Sequence, residues 1–394
     1  MLNFTEASNL DNTEIEPLAT GALFDSALRA PSRVLEALVH KRIWPHKLPP
    51  VQLARPSSSS VKAASNAARK SLFAAAASGR PVLLTSVQVP VALELELGLE
   101  RALLRAIARA FGPRETANAQ VGRMGSRRQL AISELLRRWK SRRHVVSITD
   151  LHVRNTTLER DIDTAELSAF NLLPRGTENM RRQEMMTLVV SSRGNVTDSH
   201  SDDPDGSNHC FVGRKLWLAW ETVEGQTAGL QDCSRDNINE YARFNLATFA
   251  SLKSAKWWTV DPGGTLFLPG RFSHRVVTLE PYIGIGSFYC TPASCLENIS
   301  RWYYHGPLWS LDDPEGENRG LVDEIATAMT RKLRLLGGQT RRTQERWGLD
   351  FSAMGLHHWQ RRWTRARRSA LMADHAPFAK MVKEFENVAG TQSF

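Results

Sequence analysis

One stretch, from Asn195 to Cys290, limits what this chain can fold into. Short apolar runs alternate there with clusters of turn residues. Met185 to Val190 reads as a strand and is followed by a turn at Ser192-Arg193-Gly194-Asn195. Phe211 to Trp220 is aromatic and aliphatic almost throughout, as expected of a strand buried on both sides. Trp257 to Val260 leads into the corner Asp261-Pro262-Gly263-Gly264. Thr265 to Leu268 and Arg275 to Leu279 read as paired strands around Pro269-Gly270. Many short strands with such corners suit a β-barrel, which leaves no free sheet edge and holds a ligand in its mouth.

The same stretch carries a candidate metal site. His200 and Asp202 are two apart, and residues i and i+2 of a strand point to one side. Of the chain's 11 histidines, His200 alone begins a His-x-Asp/Glu triplet, and it follows a strand and a turn. His274 lies far along the chain in a similar setting. Two histidines and one carboxylate on one face of an octahedral ion leave three positions open, the facial arrangement of non-haem Fe(II) oxygenases. Lys215 heads a strand rich in Trp and Leu, and a lysine facing inward from such a strand needs an anion, which a dicarboxylate co-substrate would supply.

These residues resemble the JmjC branch of the Fe(II)/2-oxoglutarate-dependent oxygenases, and within it the hydroxylase-like members. The family pattern is Thr-x-x-His-x-Asp, a lysine about one strand later, and a Pro-Gly-x-x-x-His turn after a Gly-rich corner. The matching residues are Thr197-Asp198-Ser199-His200-Ser201-Asp202, Lys215, and Pro269-Gly270-Arg271-Phe272-Ser273-His274. Gly79-Arg80-Pro81-Val82-Leu83-Leu84 resembles the strand that opens many such folds. The resemblance implies a double-stranded β-helix, the jelly roll of the cupins, in an α+β chain with flanking N-terminal and C-terminal helices. It implies Fe(II) on His200, Asp202 and His274, and 2-oxoglutarate held by Thr197 and Lys215. It also implies Tyr289 beside the co-substrate and Asn208 as the polar residue that some relatives carry after the His-x-Asp. O2 would be the oxidant and a C–H bond the target, with release of succinate and CO2. Halogenating relatives replace the carboxylate with a small residue, so Asp202 argues against halogenation. Trp217, Trp220, Arg271 and Arg275 are near the site in sequence, and alternation turns some of them outward.

The rest of the chain divides around this stretch. Residues 1–63 read as an arm with a short helix and a linker rich in Pro and Ser; residues 64–310 as the oxygenase domain, with a helical N-terminal part and a barrel core at about 183–292; and residues 311–394 as a C-terminal helical region. Helices are expected at Ala64–Ser78, Glu94–Phe111, Gln129–Arg143, Asn237–Leu252, Leu321–Leu336, Phe351–Asp374 and Pro377–Val388, and strands at Pro81–Val89 and Val145–Val153. The aromatics Trp347, Trp359, Trp363 and Phe378 call for burial. Some JmjC hydroxylases dimerise through a C-terminal helical bundle, so the resemblance also implies a homodimer, with simple buttressing of the barrel as the alternative.

Composition narrows the remaining classes. A hydrophobic share of 42% and a charged share of 23% fit an ordinary globular chain. No apolar run is long enough to cross a membrane and no secretory signal opens the chain, which points to the cytoplasm, with the nucleus left open. Four cysteines make no disulfide framework and no zinc-ribbon pair, so free thiols are expected. The formal charge of +10 leaves nucleic acid open as a partner, but no aromatic-basic platform for single strands accompanies it. The substrate is left as a protein or peptide side chain or a small molecule. Alternatives are demethylation of N-methyl-lysine, an RNA-modifying oxygenase, and a catalytically silent cupin-type binding module.

Overall fold

The structure, a computed structural model, describes residues 50–51, 79–84, 89, 91, 98–122, 127–141, 144–153, 155–163, 186–202, 205–230, 244, 246–270, 272–291, 293–309, 317–347, 349 and 352–390. The expected helix at Ala64–Ser78, half of the expected helix at Asn237–Leu252, Arg271 and Cys233 lie outside these residues.

The chain is a mixed α/β protein organised on an eleven-stranded, largely antiparallel sheet. In chain order the strands are β1 (Pro50–Val51), β2 (Val82–Leu84), β3 (Thr116–Val121), β4 (Arg127–Ala131), β5 (Val146–His152), β6 (Thr187–Ser191), β7 (Val196–Ser201), β8 (Asp205–Glu221), β9 (Lys256–Val260), β10 (Thr265–Leu268) and β11 (Phe272–Tyr289). The backbone of the sheet is the ribbon of β8 and β11, antiparallel along nearly their whole length. One half of this ribbon carries β7 and β9 on its flanks, and the other half carries β6 and β10.

The ribbon breaks at Gly213 and Pro281, where the register shifts. Gly213 has φ 81°, and a Cβ there would lie 2.0 Å from the Pro281 carbonyl oxygen, so only glycine lets the two strands approach. The break also changes which side chains face inward along β8. Before it, Cys210 joins an apolar cluster whose members after it are Trp217 and Ala219. That cluster takes Val189, Leu266 and Tyr282 from one half, and Trp258, Val260 and Val276 from the other, so both halves close on one interior.

Three further cores cover the sheet. Helices α1 (Leu99–Ala110), α2 (Ile132–Arg138) and α3 (Leu158–Asp161) pack Leu103, Ile107, Leu135 and Leu158 against Ile148, Leu188, Ile283 and Ile285. Trp139 fixes this layer, because its indole N–H donates to the carbonyls of Ser191 (3.1 Å) and Tyr282 (3.2 Å). Helices α4 (Thr222–Thr227) and α5 (Leu246–Ser251) follow β8, and Leu246 and Phe249 cover Leu216, Leu218 and Trp220 on its outer face. Helices α6 (Cys295–Trp309), α7 (Glu317–Gly337), α8 (Arg341–Arg346), α9 (Ser352–Arg362), α10 (Arg365–Asp374) and α11 (Ala376–Gly390) build a C-terminal bundle with its own core of Ile299, Met329, Trp359, Phe378 and Phe385. Trp347 and Trp363 are partly buried against it. Among the described residues no helix is long and apolar enough to cross a membrane.

Several local expectations need correction. Thr265–Leu268 and Arg275–Leu279 do not pair with each other across Pro269-Gly270. β10 pairs with β2 and β8, whereas β11 pairs with β6, β7 and β8. The turn therefore passes the chain between layers instead of closing a hairpin. The expected helix at Gln129–Arg143 is a strand up to Ala131 and a helix only from Ile132 to Arg138, because β3 captures Arg127–Ala131 as an edge partner. β3 itself, polar and half-exposed, had no periodic signal. The described helix expected from Glu94 starts at Leu99, after Gly98 at φ 82°. The expected helix Phe351–Asp374 is two, because Thr364 caps the second by accepting from the Arg367 N–H. The arginines of α2 lie on a solvated face, where Arg137 and Arg138 pair with Glu134.

Candidate metal and anion site

β7 and β11 bring the three candidate ligands together. His200 and His274 are direct partners in the antiparallel register, so their rings leave the same face, with centroids 4.2 Å apart. Asp202 follows at the end of β7. Its Oδ1 is 3.9 Å from His200 Nε2, and its Oδ2 is 3.7 Å from His274 Nε2. One ligand atom from each residue lies within 4.8 Å of the others. Donors about 2.1 Å from a shared ion stand roughly 3–3.5 Å apart, so small side-chain rotations close this cluster on a metal. The tautomer of His274 suits that role. Its Nδ1 lies 3.3 Å from the Phe272 carbonyl, which can only accept, so the Nδ1–H tautomer would satisfy that carbonyl and leave Nε2 for a metal. No other group of three or more His, Cys, Asp or Glu among the described residues is arranged to hold a metal.

A second polar feature shares this interior. Lys215 is 3% exposed, and its ammonium stands 4.4 Å from the centre of the Tyr282 ring. No carboxylate or hydrogen-bond acceptor among the described residues meets it. The nearby Cys210 thiol supplies no counter-charge, since burial pushes its pKa up to about 12. Burial in turn pulls Lys215 down to about 7. Trp217, two residues on, lies with its ring centroid 5.2 Å from that of His274, and its buried indole N–H meets no acceptor. The pocket thus presents two donors that call for an anionic or carbonyl ligand. Thr197 pairs with Val276, which pairs with Trp217, so this half-buried hydroxyl stands on the rung between the ligands and the lysine.

The far end of the ribbon completes the wall. A Cβ on Gly206 would lie 3.7 Å from the Phe288 ring and 3.8 Å from Asp202 Oδ2, so Phe288 flanks the carboxylate. Asn208 is buried, and its Oδ1 accepts from the Tyr282 hydroxyl. Gly284 leaves the room for that phenol, since a Cβ there would sit 2.3 Å from Tyr282 Oη. His209 donates to or accepts from Thr265 Oγ1 at 2.8 Å, and burial lowers its pKa to about 4, so it is a neutral packing residue.

The strand that carries His274 is anchored by a carboxylate at the start of β8. Asp205 is 1% exposed and accepts from the Gly270 N–H (3.1 Å) and from the Ser294 hydroxyl just before α6. Burial pushes its pKa up to about 6, against the opposing pull of these hydrogen bonds. Asp205 thus joins the turn before His274 to the C-terminal bundle.

Among the sequence-derived candidates, His200, Asp202 and His274 come together, with Thr197 and Lys215 on the same interior face. Tyr289 ends β11 opposite Asp205, and its side chain lies outside the described residues. Trp217 faces the site, whereas Trp220 and Arg275 lie on the outer face near Phe244. Tyr282, Phe288, Trp258 and Asp205 were not legible as site residues, because long-range register alone brings them there. Cys210, Cys290 and Cys295 are buried and form no disulfide with one another. No family model matches the chain, and no curated protein matches it.

Proposed function

We propose that the chain is an Fe(II)- and 2-oxoglutarate-dependent oxygenase that hydroxylates, or otherwise oxidises, an unactivated C–H bond. The observation that carries this reading is one interior holding both a His-Asp-His cluster and a buried lysine that meets no anion among the described residues. A metal site alone would fit many proteins. A metal site with a cation set apart from it along the strand fits a ligand with an acid group at each end. Four residues of β8, about 13 Å of strand, separate Ala219, the partner of His274, from Lys215. The lysine side chain and a five-carbon diacid fill that span together.

In this reading the two halves of the ribbon form a double-stranded β-helix of the cupin type. His200, Asp202 and His274 would hold Fe(II), which would bind the keto-acid end of 2-oxoglutarate. Bound there, the iron and its co-substrate would supply the oxidising chemistry, with O2 consumed and succinate and CO2 released. The protein's own residues set the geometry. Lys215 and Thr197 fix the distal carboxylate, Trp217 packs on His274, and Phe288 and Trp258 keep the interior dry. The test is succinate formation from 2-oxoglutarate with iron and ascorbate, which proceeds to some extent even without substrate. Turnover in wild type and none in His200→Ala supports the reading. Equal, negligible turnover in both, from folded iron-loaded samples, leaves a binding module.

A further inference from the structure

We propose that Asn195 and Thr278 join Lys215 in a carboxylate-binding end wall of the interior, in which the Asn195 amide is a ligand-binding group. This rests on the reading of the interior as a diacid site, and extends it to two residues that no motif marks. Register places them. Lys215 pairs with Thr278 on one side and with Val260 on the other. Thr278 in turn faces a bulge at the start of β7. The Gly194 N–H donates to the Thr278 carbonyl (2.8 Å), and the Thr278 N–H donates to the Asn195 carbonyl (2.9 Å). Gly194, at φ 83°, is the extra residue, and Asn195 lies opposite Thr278. Asn195, Thr278, Lys215 and Val260 therefore form one rung, and directly opposed side chains leave the same face of a sheet.

That face is the interior one. The adjoining residues Val196, Val277 and Leu216 belong to the outer core with Trp220 and Phe249. Alternation turns Asn195, Thr278 and Lys215 the other way, and Val260 joins the interior cluster of Trp217 and Tyr282. The three polar residues are buried, Asn195 at 0%, Thr278 at 1% and Lys215 at 3% exposure. Neither the oxygen nor the nitrogen of the Asn195 amide meets a hydrogen-bond partner among the described residues. A buried amide unmet at both ends is costly, and so is a buried lysine that meets no anion. Neighbouring strands are about 4.8 Å apart, so the two residues start roughly 10 Å from each other, with the Thr278 hydroxyl between them. One carboxylate on this rung satisfies the set. Its oxygens accept from the Lys215 ammonium, the Asn195 Nδ2–H and the Thr278 hydroxyl, and a second N–H of Lys215 can donate to Asn195 Oδ1. The single positive charge of the rung matches one ionised carboxyl group, whereas a phosphate would bring a second charge with nothing to balance it.

The test uses glutarate, a diacid without a keto group, and neither metal nor turnover. Its Kd for the full chain at pH 7 is measured by ligand-detected NMR, with urea denaturation as the check on folding. We expect saturable binding to wild type and none to Lys215→Met. Asn195→Ala should raise the Kd about ten-fold, and Thr278→Val about three-fold. Asn195→Asp keeps the shape but sets a carboxylate beside Lys215. It should fill the site itself, abolish glutarate binding, and leave the protein more stable at pH 7 than Asn195→Ala does. An amide that merely holds a water or shapes the bulge would alter stability and leave the Kd alone. No saturable binding to wild type, or an unchanged Kd in folded Asn195→Ala, therefore overturns the inference. If Asn195→Ala does not fold, an unchanged Kd in Asn195→Asp and Thr278→Val overturns it equally. Glutarate binding that depends on Asn195, in a protein that forms no succinate from 2-oxoglutarate, sinks the oxygenase reading alone. Succinate formation with a Kd indifferent to Asn195 sinks this inference alone.

Discussion

Replacing Lys215 with methionine should make the unliganded protein more stable while removing its affinity for the proposed co-substrate, 2-oxoglutarate. The lysine is 3% exposed, has no carboxylate partner among the described residues, and titrates at about 7 instead of 10.5. Between pH 10.5 and 7 the unfolded chain holds the proton while the folded chain sheds it. Wild-type stability therefore falls as the pH falls through this window and levels off below it. The penalty comes to roughly 2 kcal/mol at pH 9 and roughly 4 kcal/mol at pH 7. The contact with the Tyr282 ring returns about 1–2 kcal/mol of this. Methionine has similar length and no charge, so Lys215→Met should gain about 1–3 kcal/mol at pH 7, and less at pH 9. Urea denaturation of the apo proteins between pH 6 and 9 measures both the gain and its slope. A variant destabilised by several kcal/mol at pH 7, with the pH dependence of wild type, would refute the reasoning, because the lysine would then be paired in the resting protein.

Two further expectations follow from the same groups. An anion beside Lys215 restores its charged form, so 2-oxoglutarate binding at pH 8–9 should take up close to one proton; calorimetry in buffers of different ionisation enthalpy reads this, and Lys215→Met should show no such uptake. The raised pKa of Asp205, about 6 against 3.8, means that its contribution is fully present below pH 3.8 and lost as pH rises through 6, a loss of about 3 kcal/mol; Asp205→Asn should flatten that part of the stability profile, and an unchanged profile would show that the carboxylate is not its source.

The parts of the site legible in the sequence are those whose chemistry is local. His200 lies on β7 and Asp202 just beyond its end, and Lys215 stands out because its neighbours are apolar. Their burial and alternation carry the rest. The residues that escaped notice depend on pairing between distant segments. Phe288 reaches Asp202 only because β11 runs back along β8, and Asp205 looks like a turn residue until α6 is seen to cover it. The Pro269-Gly270 turn misled for a similar reason. Two apolar runs around such a turn resemble a hairpin, yet here they belong to different layers. The strand Arg127–Ala131 is charged and half-exposed, so neither period nor propensity marks it, and its pairing with β3 decides its conformation.

The central claim is that one interior binds a metal and a diacid together. Anaerobic titration of Fe(II) into apoprotein with 2-oxoglutarate tests it most directly, through the weak visible charge-transfer band of the chelate. The account predicts that the band appears in wild type, is lost in Asp202→Ala, and requires much higher 2-oxoglutarate in Lys215→Met. A folded, metal-loaded wild type that develops no band would contradict it.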